Sequence, residues 1–480
     1  MTPRFAAAAA AFLVLAAARA AIAAPAPSPS PSSVPAPAMS SASSSPSTSQ
    51  IPMSLNLSQA ETIALASSPA LALARGQLES ALGSVGTSRA GELPNISGSA
   101  STGRAKSISP PGNFGGFLTQ STTTLTTSRS AALILRQLIV DGGRIHEAVA
   151  AAKFGSDAAR YDLERQIQSV EFNVASSYYA ALQARHQLQV ARDSLNLAQV
   201  QLKLVQAQFK AGVASRADVL TAQLPVAQAE LAVAQAANGE QTQLALMLDT
   251  MGLPAQTPVT ISDESASPVP LPALADVLAI ANRDRPDLLA AQSSANAAAA
   301  SLRSARLGLF PSISGTGSTN TNSSKQTTDQ PNTGGSGPPT ISTTTSGVYA
   351  PSWSIGLSLS VPIFDGGLTR GETAQAQGSL DQANANLKTT QLLVSLNIQQ
   401  AYLGVETAQA GLTAADAEYA QARTVLDVTN AQYKAGVTTL PLLLNAQVAL
   451  AKAEGDQVNA LYTYKTAWQQ LLISEGTLGQ

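Results

Sequence analysis

Residues 207–213 read Ala-Gln-Phe-Lys-Ala-Gly-Val, and residues 431–437 read Ala-Gln-Tyr-Lys-Ala-Gly-Val, 224 positions later. Asp141-Gly142-Gly143 recurs as Asp365-Gly366-Gly367 at the same displacement, as do Asn173/Asn397, Tyr178/Tyr402 and Gly252/Gly476. Upstream the displacement is 217: Leu57 matches Leu274, Pro69 matches Pro286, and Pro94-x-Ile96 matches Pro311-x-Ile313. One such match means little in an alanine-rich chain, but matches held at two fixed displacements make chance a poor account. The chain is therefore internally duplicated, one architecture built twice. The change of displacement falls between Ile313 and Asp365, where the second copy carries a Ser/Thr/Gly/Asn-rich stretch. This division gives a first repeat over 53–256, a connector over 257–272 and a second repeat over 273–480.

Each copy reads as a helix, two strands, a very long helix and a shorter helix. In the first copy a helix is predicted over about Ser58–Arg89. Pro94 ends it and opens a strand to about Ile108, followed by a loop holding Pro110, Pro111, Gly112 and Gly115. A second strand runs to Val140, and Asp141-Gly142-Gly143 punctuates it. Helix follows from Arg144 to Lys210, Gly212 breaks it, and a last helix covers about Ser215–Leu248. Pro225, inside that last helix, is a candidate kink.

The long helix carries a sustained heptad. Ile167, Val174, Ala181, Leu188, Leu195, Leu202 and Phe209 are spaced by seven, with Val170, Ser177, Ala184, Ala191, Ala198 and Val205 three residues on. The second copy repeats this with Ile398, Val405, Leu412, Tyr419, Leu426 and Tyr433, and with Val394, Ala401, Ala408, Ala415, Ala422 and Thr429. A seven-residue repeat of this length demands a coiled-coil partner. Its alanine row lets neighbouring helices pack closely. At 1.5 Å per residue the helix is roughly 100 Å long, and the two shorter helices together match it.

The strand before Asp365 alternates. Trp353, Ile355, Leu357, Leu359, Val361 and Ile363 interleave with Ser352, Ser354, Gly356, Ser358 and Ser360, one face apolar and the other small and polar. Such a period suits a tilted strand whose apolar face, Trp353, Ile355, Leu357, Leu359 and Val361, meets lipid. Tyr349, Trp353, Phe310 and Phe364 suit the interfaces. A soluble sandwich sheet is the alternative, but four strands leave two open edges, and a lipid-facing barrel needs about eight strands or more. Four per chain therefore calls for assembly.

Composition bounds the rest. Of 480 residues only 12% are charged and the formal net charge is -2, so nothing marks a nucleic-acid partner. Cysteine is absent, which excludes disulfides, thiolate chemistry and a lipidated N-terminal cysteine. His146 and His186 lie 40 positions apart in one helix, roughly 60 Å along its axis, too far to share a metal ion, and read as solvated side chains. No phosphate-cradling loop and no Ser/His/Asp set is suggested, and Asp263-Glu264 lies in a Pro/Ser-rich connector that reads as solvated surface. The chain reads as a non-enzyme without cofactor or metal. Arg4, the apolar run Phe5–Ala18 and the small residues around Ala21-Ile22-Ala23 fit a secretory signal over 1–24, followed by a Pro/Ser-rich disordered linker over 25–52. No later segment offers eighteen uninterrupted apolar residues, so any membrane insertion must use strands.

These residues resemble the TolC-like outer-membrane efflux proteins over about Leu55–Leu478. The carriers are Leu359-Ser360-Val361-Pro362-Ile363-Phe364-Asp365-Gly366-Gly367, the matching Gln137-Leu138-Ile139-Val140-Asp141-Gly142-Gly143, and Phe209-Lys210-Ala211-Gly212-Val213 followed by Asp218-Val219-Leu220. The resemblance implies an α+β membrane protein: a homotrimer with a 12-stranded β-barrel, four strands per protomer, in outer-membrane lipid. The barrel would continue into a long α-helical coiled-coil barrel in the periplasm. The function implied is that of a passive gated duct in a tripartite efflux system, docked to a periplasmic adaptor and an inner-membrane pump. A type I protein-secretion duct is one alternative, and a periplasmic coiled-coil adaptor without a pore is another. Carried over residue by residue, Gly212, Val213, Asp218, Val219 and Leu220 form the first periplasmic tip, and Gly436, Val437, Leu442 and Asn445 the second. Asp218 either charges the entrance or serves as an acidic residue in a helix's first turn. Where relatives often carry aspartates at the second tip, this chain has Leu442 and Asn445, after Pro441.

Overall fold

The computed structural model describes residues 55–478 apart from 115–116, 120, 264–269 and 333–339. The predicted signal over 1–24, the linker over 25–52 and Glu264 lie outside them. The chain divides into a sheet unit, Gly86–Val149 with Arg303–Gly371, and a helical unit, Gln50–Val85, Ala150–Leu302 and Glu372–Gln480.

The element order repeats. The first copy holds α1 (Leu57–Ser67), α2 (Pro69–Ala90), β1 (Asn95–Ser109), a short ribbon of β2 (Gly112–Phe114) and β3 (Phe117–Thr119), β4 (Thr122–Val140), α3 (Arg144–Lys210) and α4 (Arg216–Thr250). The second holds α5 (Leu274–Asp284), α6 (Pro286–Arg306), β5 (Ser312–Asn332), β6 (Thr340–Ser360), α7 (Leu368–Lys434) and α8 (Leu440–Glu475). Helices α3 and α7 are each 67 residues long.

Two sequence expectations change here. The helix expected over Ser58–Arg89 is two helices, because Ser68 leaves the helical region at ψ 121° before Pro69. Arg285 does the same, at ψ 121°, before Pro286. Proline crowds the preceding residue out of the helical basin. Pro225 lies inside the span of helix α4. The loop after β1 contains the β2–β3 ribbon.

In the sheet unit the strand order is β1-β4-β5-β6, all antiparallel. A register shift between Leu138 and Val140 marks a bulge near the end of β4. Strand β6 begins at Thr340, twelve residues before the alternation is readable, and ends at Ser360. Val361, assigned to the lipid-facing strand from sequence, therefore lies just past it, because Pro362 cannot donate to a ladder.

In the helical unit two clusters carry the core. The first joins Ala60 and Ala64 of α1, Val170, Val174, Tyr178 and Ala181 of α3, Met247 of α4 and Tyr462 of α8. The second joins Val277 and Ala281 of α5, Val394, Ile398, Ala401 and Val405 of α7, and Tyr464 and Leu471 of α8. The buried residues of α7 fall on the two heptad rows; in α3 Val170, Val174, Ala181, Leu188, Ala198 and Val205 do so, but Glu171, Tyr178, Leu182 and Val190 are buried beside the rows, and Phe209, at the end of its row, is exposed.

The described part of the connector is fastened by backbone hydrogen bonds. Leu55 and Ile261 form a parallel bridge, with Leu55 N–H donating to Thr260 O at 2.7 Å and Ser262 N–H to Leu55 O at 2.9 Å. Tyr178 Oη donates to Leu55 O at 3.0 Å. Asp263 is exposed, as expected of this connector, and accepts from Tyr462 Oη at 2.9 Å and Lys465 Nζ at 3.2 Å. His186, expected to be solvated alone, sits 3.2 Å from the same carboxylate. Burial alone would raise the Asp263 pKa, but the hydrogen bonds from Tyr462 and Lys465 and the positive charge beside it hold it below the usual carboxylate range.

Candidate functional site: turns, sheet face and helical tips

The two Asp-Gly-Gly turns convert strand to helix in the same way. Asp141 accepts from Gly143 N–H at 3.0 Å and Ile145 N–H at 2.7 Å. Asp365 accepts from Gly367 N–H at 2.9 Å and Thr369 N–H at 2.8 Å. Each carboxylate thus caps unsatisfied donors at the start of a long helix. For Asp365, hydrogen bonds from Thr369 and Gly367 hold the carboxyl below its usual range. All four glycines have positive φ, from 67° at Gly366 to 94° at Gly143, a region that side-chain-bearing residues rarely adopt. Gly142 has a second reason: a Cβ there would stand 2.3 Å from Phe310 Cδ1. Nearby, Arg303 Nε donates to Glu147 Oε2 at 2.8 Å, and Ser304 Oγ to Arg144 O at 3.0 Å.

Residues directly opposite in antiparallel strands point to one face, so the register defines the faces of the sheet. Trp353, Ile355, Leu357 and Leu359 of β6 lie opposite Thr319, Gly317, Gly315 and Ile313 of β5. Thr319 and Gly317 in turn lie opposite Leu133 and Leu135 of β4, and these opposite Gly98 and Ile96 of β1. That face is an apolar band, and all four β6 residues are exposed on it, Leu357 at 75%. The other face is stitched by hydroxyls: Ser314 with Ser358 at 2.8 Å, Ser318 with Ser354 at 2.9 Å and Ser101 with Ser130 at 2.8 Å. No helix among the described residues is long and apolar enough to cross a membrane.

At the tips both helix pairs turn through a left-handed glycine, Gly212 at φ 77° and Gly436 at φ 73°. Val213 N–H donates to Gln208 O and Val437 N–H to Gln432 O, each at 2.9 Å, which satisfies the last carbonyls of α3 and α7. Asp218 closes a capping box with Ser215: Ser215 N–H donates to Asp218 Oδ2 at 2.8 Å, and Asp218 N–H to Ser215 Oγ at 3.1 Å. These bonds, the Ser215 backbone first, keep the Asp218 carboxyl below its usual range. The carboxylate is therefore engaged in starting α4. Thr439 caps α8 without a side-chain hydrogen bond. Val219, assigned to the first tip, packs on the apolar cluster of Val205, Ala222, Leu440 and Leu444. Val213, Leu220, Val437 and Leu442 are exposed, Val213 at 80% and Val437 at 77%, and Asn445 is exposed as well. The two hairpins are joined by Tyr433 Oη donating to Gln208 Oε1 at 3.1 Å, a link between residues 225 apart in sequence that no local pattern announces.

An acidic pair, Glu61 and Glu171, sits in the helical unit. Glu171 of α3 is buried, with Oε2 lacking a hydrogen-bond partner. Burial first, and then the Glu171 charge, pushes Glu61 of α1 up to about 7. Among the described residues no cluster of three or more His, Asp or Glu side chains could hold a metal ion.

The family model of the outer membrane efflux protein matches residues 62–252 and 277–477, once per repeat. Among curated proteins, the chain is 32% identical over 127 residues to the alkaline protease secretion protein AprF of Pseudomonas aeruginosa, covering 26% of each chain. It is 26% identical over 126 residues to the outer membrane protein TolC of Escherichia coli, again 26% of each. These matches span about a quarter of the length of the curated relatives. Solved structures agree over far more of the chain. The Campylobacter jejuni CmeC outer membrane channel superposes with a TM-score of 0.70 at 19% identity, covering 88% of this chain and 85% of that one. The outer membrane protein VceC of Vibrio cholerae gives 0.69 at 18%, covering 88% and 96%. With a family model matched across both repeats and the same fold in solved outer-membrane channels, the chain is an outer-membrane protein and belongs to the outer membrane efflux protein family.

Proposed function

We propose that the chain is one protomer of a homotrimeric duct, in which three four-stranded sheets close a 12-stranded barrel in outer-membrane lipid. The helices continue it as a coiled-coil barrel in the periplasm. The observation that carries this reading is the sheet's combination of one apolar exposed face with two free edges, β1 and β6. Lipid tolerates no open edge, because unpaired backbone groups there have no water to bond. Three copies edge to edge leave none.

The duct is passive and exports small molecules from the periplasm to the exterior. The tips, with Val213, Leu220, Val437 and Leu442 exposed, meet a periplasmic adaptor, and an inner-membrane pump supplies the energy. A protein-secretion duct is the second reading, favoured by the similarity to AprF, a protein whose name assigns it to alkaline protease secretion. The test is single-particle imaging of the detergent-extracted protein from the outer-membrane fraction. A three-fold tube with a helical part about 100 Å long is the expected result. A soluble monomer, or a rod without a barrel, would overturn the proposal. Deletion of the chain's gene followed by drug-tolerance and secreted-protein assays separates the two cargo readings.

A further inference from the structure

The sheet carries five cations, Arg104, Lys106, Arg129, Arg136 and Lys325, and a single acid, Asp329. Their placement is not uniform. Starting from Leu359 and moving away from the helix-bearing end, the apolar face presents no charge through Trp353 and Pro351. The first charge on that face is Arg129, opposite Thr102 and Ser323, with Ser323 opposite Tyr349. One same-face step further, Arg104 and Lys325 flank Thr127, their shared partner. Lys106 follows on the next step, opposite Leu125. Four of the five cations thus share the apolar face within three successive steps, and Arg136 lies on the other face.

The spacing is that of a site for phosphates. With steps of about 6.8 Å along a strand and about 4.8 Å between strands, Arg129, Arg104 and Lys325 form a triangle with sides of about 8–10 Å. Arginine and lysine side chains span such a gap around one or two phosphate groups. All four cations are exposed, and among the described residues none forms an ion pair. Asp329 lies two steps beyond Lys325 and accepts from Thr343 Oγ1 at 2.7 Å. A depression of about 370 Å³ lies at the first step, lined in part by Thr102, Arg129, Ser323 and Tyr349.

The height decides the partner. From Leu359 to Tyr349 is ten residues, about 34 Å along the strand. At a tilt of about 40° that is a rise of about 26 Å, the height of a barrel's apolar band. The cations therefore begin where hydrocarbon gives way to headgroups, beside an aromatic residue suited to that boundary. We propose that Arg104, Lys106, Arg129 and Lys325 form a binding site for the phosphorylated headgroups of the lipid leaflet at the end of the barrel remote from the helices. The site rests on the barrel reading given above.

The test uses the full chain purified in uncharged detergent and titrated with bisphosphorylated lipid A or its dephosphorylated form, with bound lipid counted by native mass spectrometry. The wild type is expected to prefer the phosphorylated lipid by roughly tenfold or more, and R104S/R129S/K325S to lose that preference while remaining a three-fold particle. Equal binding of the two lipids by intact wild-type trimers would overturn the site and leave the barrel standing, as would an unchanged preference in the triple variant. Displacement of the lipid by millimolar inorganic phosphate would identify a soluble-anion site and also overturn the proposal. Absence of a three-fold particle in the wild type would overturn the barrel reading, and the site with it.

Discussion

Gly142 and Gly366 occupy equivalent positions in the two repeats and share a left-handed backbone, φ 73° and φ 67°, yet differ in what surrounds them. Gly366 has nothing within 4 Å of where a Cβ would stand, whereas at Gly142 that atom would lie 2.3 Å from Phe310 Cδ1. Alanine at either site takes on the left-handed penalty of about 1–2 kcal/mol. At Gly142 the Phe310 ring must also move. Phe310 is half exposed, so it can swing aside, but an off-rotamer side chain costs about 0.5–1.5 kcal/mol. Gly366→Ala is thus expected to lose about 1–2 kcal/mol and Gly142→Ala about 2–3 kcal/mol. In a Phe310→Ala background, where only the Cβ of residue 310 remains, at 2.9 Å, the two losses should draw closer, a coupling of about 1 kcal/mol in a double-mutant cycle. The measurement is guanidinium unfolding of the purified protein in detergent, followed by helical circular dichroism. Equal losses at the two turns, or a Gly142→Ala cost unmoved by Phe310→Ala, would refute the reasoning.

Other expectations concern the sheet face, the tips and the acidic pair. Leu357→Asp puts a charge on the apolar face and should lower the outer-membrane yield of folded protein by a penalty of about 2 kcal/mol, read by quantitative immunoblotting of that fraction; a normal yield would mean the wrong face. Gly212→Val with Gly436→Val should weaken crosslinking to the periplasmic adaptor while membrane trimers persist, and unchanged drug tolerance would count against the tips as the docking surface. Glu61, with a folded-state pKa of about 7 against 4.5 ordinarily, favours the fold least when ionised. Stability should therefore fall as pH rises from about 4.5 through 7, by on the order of 1–2 kcal/mol once solvent screening is allowed for. Glu61→Gln should flatten that dependence between pH 5 and pH 8 in the same unfolding assay.

The duplication and the long helices are legible in the sequence because each rests on a period. Seven-residue spacing leads to α3 and α7, and Asp-Gly-Gly marks where strand becomes helix through side-chain caps and left-handed backbone. What stays hidden lacks a local period. Much of β5 and β6 is Ser, Thr, Gly and Asn on both faces, so no apolar alternation outlines the strands, and β6 becomes readable only from Ser352. Pro69 imposes the break at Ser68, but the helical pattern on either side of it reads as one continuous helix. Asp263 finds partners 77, 199 and 202 residues away, a distance across which connector composition carries no information. Val219 shared its tip motif with exposed residues, and only packing separates it from Leu220.

The two tips of one chain are unlike. The first begins its return helix with Ser215 and a carboxylate, the second with Thr439 and Pro441 and no acid. Placed around a three-fold axis, such tips would alternate, so that a ring of six hairpins has three-fold and not six-fold character. A partner seated on that rim meets two kinds of site in strict alternation. A subunit that recognises only one kind binds with three copies, and six copies require a surface able to read both.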